Sequence, residues 1–231
     1  MVHLAEGLFA RRSVSLTGGA VFGSFAAITT VVSAGIQPSF PILPFLKFDP
    51  AELFSVLAFL IFGPIAAIIT ATVHWVFLTA TASTPLGPAV KYAAVLSTLL
   101  GLWLGSLVYR RFSRKYNQFS VVLGSMVALS TITRVVVLLL VNFFVFTYIG
   151  PVIFGIQYLQ FSQQTLQTTL GLQFAGPWEV LMAMLFYTSL YNALHAAFSV
   201  VVPYLIFTPL SLKVPEIASG HPWISRFASR Q

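Results

Sequence analysis

Charged side chains are scarce in this sequence. Lys, Arg, Asp and Glu together make up 7% of its 231 residues, whereas 58% are hydrophobic. A soluble domain carries about 25% charged residues. A chain with so little charge cannot cover itself with a hydrated surface, so the composition predicts a protein whose solvent is the lipid bilayer. Cys is absent, which excludes disulfides and thiol chemistry.

The sequence motifs of common enzymes are also missing. No G-x-x-x-x-G-K-[ST] is present, so the chain holds no ATP in a P-loop. Neither H-E-x-x-H nor G-x-S-x-G occurs, and the four His and five acidic residues show no metal-ligand spacing. We therefore predict no catalytic residues, no metal site and no enzymatic activity. A small intramembrane enzyme or a structural membrane subunit is the alternative.

The net charge of +7 would suit a nucleic-acid-binding protein, but its distribution indicates a membrane protein instead. Most of the basic residues lie at the ends of apolar segments. This placement is typical of residues that flank transmembrane helices, so we predict no nucleic-acid partner.

Long apolar segments recur along the chain and predict an all-α, polytopic membrane protein with a single domain, residues 1–231. Each long segment is of a length that crosses about 30 Å of hydrocarbon. Gly63-Pro64 divides one apolar run into two helices that meet at a tight turn, because Pro is well tolerated at a helix start. Loops are expected at 36–50 and 148–178. The six predicted helices cover residues 14–35, 51–62, 65–82, 89–109, 119–147 and 179–208, the last interrupted at Pro203.

The basic residues predict the orientation of this arrangement. With a cytoplasmic N-terminus, an even number of crossings returns the C-terminus to the cytoplasm, and nine of the twelve cations then lie on the cytoplasmic side. We therefore predict a multi-pass protein of the cell membrane, with loops 36–50 and 148–178 facing outward. The nine cations are Arg11, Arg12, Arg110, Arg111, Arg114, Lys115, Lys213, Arg226 and Arg230.

Polar side chains inside the predicted spans are candidates for a binding site, because they are costly to leave unpaired in lipid. Asn142 lies near the outer end of the fifth span, and Asn192 and His195 share one face of the last. Tyr187 and Tyr191 form a neighbouring stripe on the same helix. An Asn offers donors and an acceptor that suit the edge of a heterocycle. These residues either bind a ligand or hydrogen-bond to adjacent helices.

Arg134 and His74 are ionisable groups within the spans. An Arg at mid-membrane costs on the order of 3 kcal/mol, so Arg134 must have a partner. Two interpretations stay open: Arg134 contacts an anionic ligand group or a partner protein, or it bonds locally to backbone carbonyls or to hydroxyls such as Ser130 and Thr131. His74 is interpreted as a structural residue.

Small residues recur at a spacing of four in the first span, at Gly19, Gly23 and Ala27, with Ala20 and Ser24 beside them. Small residues at this spacing let another helix approach closely. The approaching helix belongs either to a partner subunit or to the same chain.

The connector PSFPILPFLKFDP, residues 38–50, contains four prolines. Proline restricts φ and removes a backbone donor, so such a segment loses little entropy when it folds back. With Phe40, Phe45 and Phe48, the connector is predicted to form a rigid flap whose aromatic faces stack on a ring-shaped ligand. An ordinary interfacial loop is the alternative.

The stretch FLKFDPAELFSVLAFLIFGPIAAIIT resembles the signature of the substrate-binding S components of energy-coupling factor (ECF) vitamin transporters, especially the riboflavin-binding, RibU-like ones. Those carry a proline-rich first loop, a similar Y-L-K-[YF]-D stretch and a short helix that ends in G-P-L-A-G. Asn142 is similar to the Asn near the end of the family's fifth helix. Asn192-Ala193-Leu194-His195 resembles the family's N-x-x-K, with His in place of Lys.

The resemblance implies a six-helix S component that binds a vitamin at its outer face, without covalent chemistry and without a cofactor of its own. It implies as partners a transmembrane T subunit and two ATPase subunits. The implied ligand is riboflavin or a related flavin, with another water-soluble vitamin or precursor as the alternative. The expected ligand contacts are Asn142, Asn192, His195, Tyr191, Leu46, Lys47 and Phe48, and the expected T-subunit contacts are Gly19, Gly23 and Ala27.

Overall fold

The computed structural model describes residues 2–112, 119–155 and 157–213. Within these ranges nearly all secondary structure is helical, with one isolated bridge between Ser39 and Lys47. The predicted cytoplasmic cations Arg114, Lys115, Arg226 and Arg230 lie outside the described residues. The helices are α1 (Val2–Ser33), α2 (Glu52–Phe62), α3 (Pro64–Thr81), α4 (Leu86–Phe112), α5 (Phe119–Phe144), α6 (Gly150–Phe154), α7 (Gln157–Leu170) and α8 (Pro177–Lys213), with a π-helical turn at Val145–Ile149 between α5 and α6.

Five helical segments in the described ranges are long and apolar enough to cross a membrane, and the shorter α2 is apolar as well. The predicted all-α class is therefore confirmed. The cytoplasmic location of the termini stays a prediction. The five segments are Ser13–Ser33, Pro64–Thr81, Leu86–Tyr109, Val121–Phe154 and Pro177–Leu210.

The turn between α2 and α3 forms at the predicted Gly63-Pro64. Gly63 has φ 99°, a conformation that favours glycine, and its N–H donates to the carbonyls of Ala58 and Phe59. Pro64 then starts α3, where its missing N–H removes no helical bond. Local residue chemistry thus explains why one apolar run becomes two helices.

Two further predictions differ from the structure. Helix α1 starts at Val2 rather than at residue 14, because the polar residues before the apolar run are also helix-compatible. Helix α8 continues through Pro203 and Pro209, so the predicted interruption is wrong. Proline is tolerated in membrane helices because neighbouring groups satisfy the freed carbonyl.

The predicted loop 148–178 is largely helical. The fifth span continues through the π-helical turn into α6 and ends at Gly155, which has φ 76°. Helix α7 follows, and its buried Leu166 packs in the cluster that also holds Phe40 and Leu43 of the connector. The segment therefore covers one end of the bundle, and most of it is helix rather than the predicted loop.

The small residues of α1 pack against α3 within the same chain. A Cβ on Gly19 would lie 2.8 Å from the carbonyl oxygen of Ala66, and one on Gly23 would lie 2.6 Å from Cβ of Val73. His74 also belongs to this contact, because its Nε2 lies 2.8 Å from Thr30 Oγ1. The structural interpretation of His74 is therefore supported. The face formed by Gly19 and Gly23 is occupied by α3, so the structure does not leave it open to a T subunit.

Helices α4 and α5 approach each other closely at Gly101. A Cβ on Gly101 would lie 2.3 Å from Cα of Ser130 and 2.5 Å from the carbonyl oxygen of Leu129.

We expect Gly101→Ala to lower the free energy of unfolding by about 1–3 kcal/mol, because the two backbones must separate. Gly124→Ala is the matched control, since a Cβ there meets nothing within 4 Å. Thermal unfolding of both variants in detergent measures the difference, and equal melting temperatures would contradict this packing.

Candidate functional site

A cavity of about 780 Å³ lies at the end of the bundle where α4 and α8 begin and α5 ends. The connector, α2, α6 and α7 complete its walls. Pockets for small molecules typically enclose roughly 300–1,000 Å³ and are mostly apolar with few polar groups. The cavity fits this description. The polar side chains that line it are Gln37, Lys47, Asp49, Glu52, Thr84, Lys91, Arg134, Asn142, Ser162, Thr188, Tyr191 and Asn192.

The proline-rich connector folds into a hairpin-like lid, defined here as residues 38–50. Phe40 N–H donates to the carbonyl of Leu46 at 2.7 Å, and Phe48 N–H donates to that of Pro38 at 2.9 Å. Phe40 and Leu43 are buried, whereas Phe45 and Leu46 line the cavity. The prediction of a packed flap is therefore supported, because a loose interfacial loop would not bury these side chains.

Polar contacts attach the lid to the helices. Asp49 accepts a hydrogen bond from the N–H of Ala51 at 2.8 Å and forms an ion pair with Lys91 of α4. The hydroxyl of Tyr191 in α8 donates to the carbonyl of Lys47 at 2.5 Å. The lid is thus connected to two different helices on either side of the cavity.

A buried ion pair joins α2 and α5 at the wall of the cavity. Arg134 is 1% exposed, and its Nη1 lies 2.7 Å from Oε2 of Glu52. A guanidinium has five N–H donors. Four of those donors have an acceptor within the chain, and Nη2 also lies 3.3 Å from His195 Nδ1, so most of the guanidinium is held by the chain itself. The four acceptors are the two oxygens of Glu52, Thr98 Oγ1 and Asn192 Oδ1.

Neither sequence interpretation of Arg134 describes this contact. The hydroxyls of Ser130 and Thr131 have no hydrogen-bond partner within the described part of the chain, so they do not hold the guanidinium. The partner is Glu52, whose Oε2 also lies 3.4 Å from Ser199 Oγ. A signal for this pairing was present in the sequence, because Asp49 and Glu52 are the only acids between residues 7 and 178.

His195 was predicted as a ligand contact, and the structure places it behind the cavity wall. Its ring is 1% exposed, and its Nδ1 lies 2.8 Å from the Tyr191 hydroxyl and 3.3 Å from Arg134 Nη2. Its Nε2 faces Oε2 of Glu52 at 3.6 Å. The imidazole therefore supports Tyr191 and the ion pair, and it does not line the cavity. The resemblance to N-x-x-K placed His195 on the same helical face as Asn192. It did not predict that the side chain is buried behind the cavity wall.

Phe48 also lies outside the cavity. Its ring centroid is 5.1 Å from that of Tyr191 and 5.4 Å from that of His195. Its ring also packs against that of Phe198, so Phe48 belongs to an aromatic cluster with three residues of α8. Of the predicted lid contacts, Leu46 and Lys47 line the cavity and Phe48 does not.

Asn142, Asn192 and Tyr191 all line the cavity, as predicted for ligand contacts. Asn192 is partly used within the chain, since its Oδ1 accepts from Arg134 Nε at 3.3 Å and its Nδ2 donates to the carbonyl of Thr188 at 2.9 Å. Asn142 is 5% exposed, and its side chain makes no hydrogen bond in the described part of the chain. Asn142 is therefore the best placed of the three to bind a ligand.

Comparison with known proteins identifies this arrangement. The model of the family described as "ECF transporter, substrate-specific component" matches residues 20–207, which include the lid and most of the cavity wall. This chain belongs to that family. It is a multi-pass membrane protein and the substrate-binding component of an ECF transporter, a class of transport subunit that associates with T and ATPase subunits to take up vitamin-type substrates.

A solved structure supports the fold of this S component. The structure is described as that of the S component of a bacterial ECF transporter, and it is 21% identical to this chain with a TM-score of 0.60. The alignment covers 87% of this chain and 99% of that chain. No curated protein matches the sequence. The S-component fold predicted from the resemblance is therefore confirmed.

Proposed function

We propose that this S component binds riboflavin or a related flavin in the cavity beneath the lid. The observation that carries the proposal is Asn142, a buried primary amide with no hydrogen bond in the described part of the chain and a place on the cavity wall. A primary amide presents a donor and an acceptor side by side. The pyrimidine edge of a flavin ring presents the complementary pair, whereas a purely apolar ligand would leave the amide unpaired at a cost of about 1–3 kcal/mol.

Aromatic side chains suit the flat ring of such a ligand. Five of them, from the lid, the π-helical turn, α6, α7 and α8, line the cavity. Aromatic rings pack against one another in offset-stacked or edge-to-face arrangements, which a tricyclic ring can share. The five aromatic residues are Phe45, Phe146, Phe154, Phe161 and Tyr191.

The charges of the cavity support a ligand whose buried part is neutral. Arg134 and Glu52 neutralise each other, and Glu52 also accepts a hydrogen bond from Ser199. Lys91 is paired with Asp49. Burying an unpaired charge beside them would be costly, whereas a flavin ring brings no net charge.

The resemblance implies that a T subunit contacts α1, and such a contact needs a face of α1 that α3 leaves open. Ala20 and Ser24 are small and exposed, and they lie beside the occupied glycines. We propose this neighbouring face, rather than that of Gly19, Gly23 and Ala27, as the contact with the T subunit. Replacing Ala20 by Trp is expected to abolish co-purification with the T subunit without changing ligand binding, and Leu205→Trp, at another exposed position in α8, is the control.

Direct binding tests the proposal. The chain is purified in mild detergent, and riboflavin is titrated while flavin fluorescence and absorbance are measured; thiamine and biotin serve as comparison vitamins. We expect saturable, one-to-one riboflavin binding with quenched flavin fluorescence, because the ring stacks on aromatic side chains. Binding of thiamine or biotin without riboflavin would support the alternative of another vitamin and would exclude the flavin. Turnover of any of them would favour an enzyme.

A further inference from the structure

Thr188 lies on α8 one turn before Asn192 and lines the cavity. Its side chain is buried, with 3% of the residue exposed. Its hydroxyl has no hydrogen-bond partner in the described ranges. No feature of the sequence distinguished this Thr from the many others in the spans.

Most hydroxyls in these helices are satisfied locally. Thr70, Thr72 and Thr79, for example, donate to the carbonyl four residues earlier at 3.0, 2.8 and 2.9 Å. This bond is the usual solution for a Thr inside a helix. The Thr188 hydroxyl does not make it and stays buried and unpaired.

The location of Thr188 separates it from the other unpaired hydroxyls. Ser55, Ser130, Thr131 and Thr147 are also buried without a partner in the described part of the chain, but none of them lines the cavity. Among the residues with an unpaired hydroxyl in the described ranges, only Thr188 lines the cavity, where Asn142 lies as well. The hydroxyl itself is buried in the wall, so a rotation about χ1 of Thr188 is needed to turn it toward a ligand.

We propose that Thr188 is a further specificity-determining residue, which hydrogen-bonds the polar edge of the ligand's ring beside Asn142. This inference rests on the proposed function and deepens it. A hydroxyl from α8 and an amide from α5 together match a ring edge that carries neighbouring carbonyl and N–H groups. The hydrophilic chain of the ligand then points toward the exposed Lys47 and Phe45 at the mouth, where it keeps contact with water.

The first test compares two substitutions of nearly equal size. Thr188→Val removes the hydroxyl and keeps the shape, whereas Thr188→Ser keeps the hydroxyl. We expect Thr188→Val to weaken riboflavin binding about tenfold, and Thr188→Ser to stay within about threefold of the wild type. Lumiflavin shares the ring and lacks the ribityl chain, so its affinity must fall by the same factor in Thr188→Val. Unchanged riboflavin affinity, or a loss that spares lumiflavin, would overturn the proposal.

A second test measures first, without any ligand, whether position 188 is accessible from the cavity, and then whether riboflavin protects it. The chain has no Cys, so single Cys substitutions report accessibility without background. We expect Thr188→Cys to react with a small charged methanethiosulfonate reagent in the detergent-solubilised protein, and riboflavin to slow the reaction. Ser130→Cys is the matched control and is expected to stay unmodified, because Ser130 is equally buried and outside the cavity.

The outcomes of this test separate the two proposals. Equal, slow modification of both Cys variants would show that Thr188 does not face the cavity and would overturn the inference. Fast modification of Thr188→Cys in a protein that does not bind riboflavin would refute the flavin proposal, while supporting Thr188 as a group exposed to the binding cavity. Riboflavin binding that leaves the modification rate of Thr188→Cys unchanged would overturn the inference and leave the flavin proposal standing.

Discussion

Replacing Glu52 with Met is expected to lower the free energy of unfolding by about 3–5 kcal/mol, the largest stability effect predicted for this S component. Glu52 is the partner of Arg134 at 2.7 Å, and both side chains are almost completely buried. The substitution leaves the guanidinium charged, because Arg does not lose its proton under any ordinary condition. An uncompensated charge in the bundle interior is the reason for the loss.

Two companion variants test this explanation. Arg134→Met is expected to cost less than Glu52→Met, because a carboxyl left without its partner can take up a proton. The double variant with Met at both positions is expected to recover most of the stability, since a buried ion pair contributes little beyond its apolar replacement. Thermal unfolding of all three proteins in one detergent measures the series. If the double variant is as unstable as Glu52→Met, the loss does not come from an unpaired charge.

The second large effect is expected on ligand binding. Replacing Asn142 with Ala should weaken riboflavin binding by about 5- to 150-fold, which corresponds to roughly 1–3 kcal/mol for a ligand group left without its partner. The stability of the ligand-free protein should change little, because Asn142 makes no hydrogen bond within the described part of the chain. Fluorescence titration and thermal unfolding measure the two quantities separately.

A control on the same helix distinguishes a ligand contact from a general disturbance of α5. Thr131 is part of α5, its hydroxyl is buried without a partner, and it does not line the cavity. Thr131→Ala should therefore leave riboflavin affinity unchanged. Riboflavin affinity that is equal in Asn142→Ala and in the wild type would contradict the assignment of Asn142, even if riboflavin binds.

At Asn192 the same substitution is expected to change both riboflavin affinity and the free energy of unfolding. Its amide already bonds Arg134 and the carbonyl of Thr188, so its removal disturbs the ion-pair cluster as well as the cavity wall. The contrast between the two asparagines shows why a shared residue type did not predict a shared role. The sequence placed both among the ligand contacts, and only their hydrogen bonds within the fold distinguish them.

The sequence by itself determined the features that depend on local chemistry. Low charge and long apolar segments predicted the membrane helices, and Gly63-Pro64 predicted the break between α2 and α3 to within one residue. The prolines of residues 38–50 predicted a stiff lid, and the stretch that follows Phe45 indicated the S-component family. Each of these features depends on residues that are close together in the chain. It can therefore be predicted without knowing which distant residues it contacts.

The tertiary structure alone decided which polar groups pair with each other and which remain free for a ligand. Glu52 and Arg134 are 82 residues apart in the chain, and their contact depends on how α2 and α5 pack. His195 proved to support the ion pair, Gly19 and Gly23 proved to pack on α3, and the hydroxyl of Thr188 proved to be free. The role of a buried polar group depends on the atoms within about 3 Å of it. Helix packing brings those atoms together from distant parts of the chain.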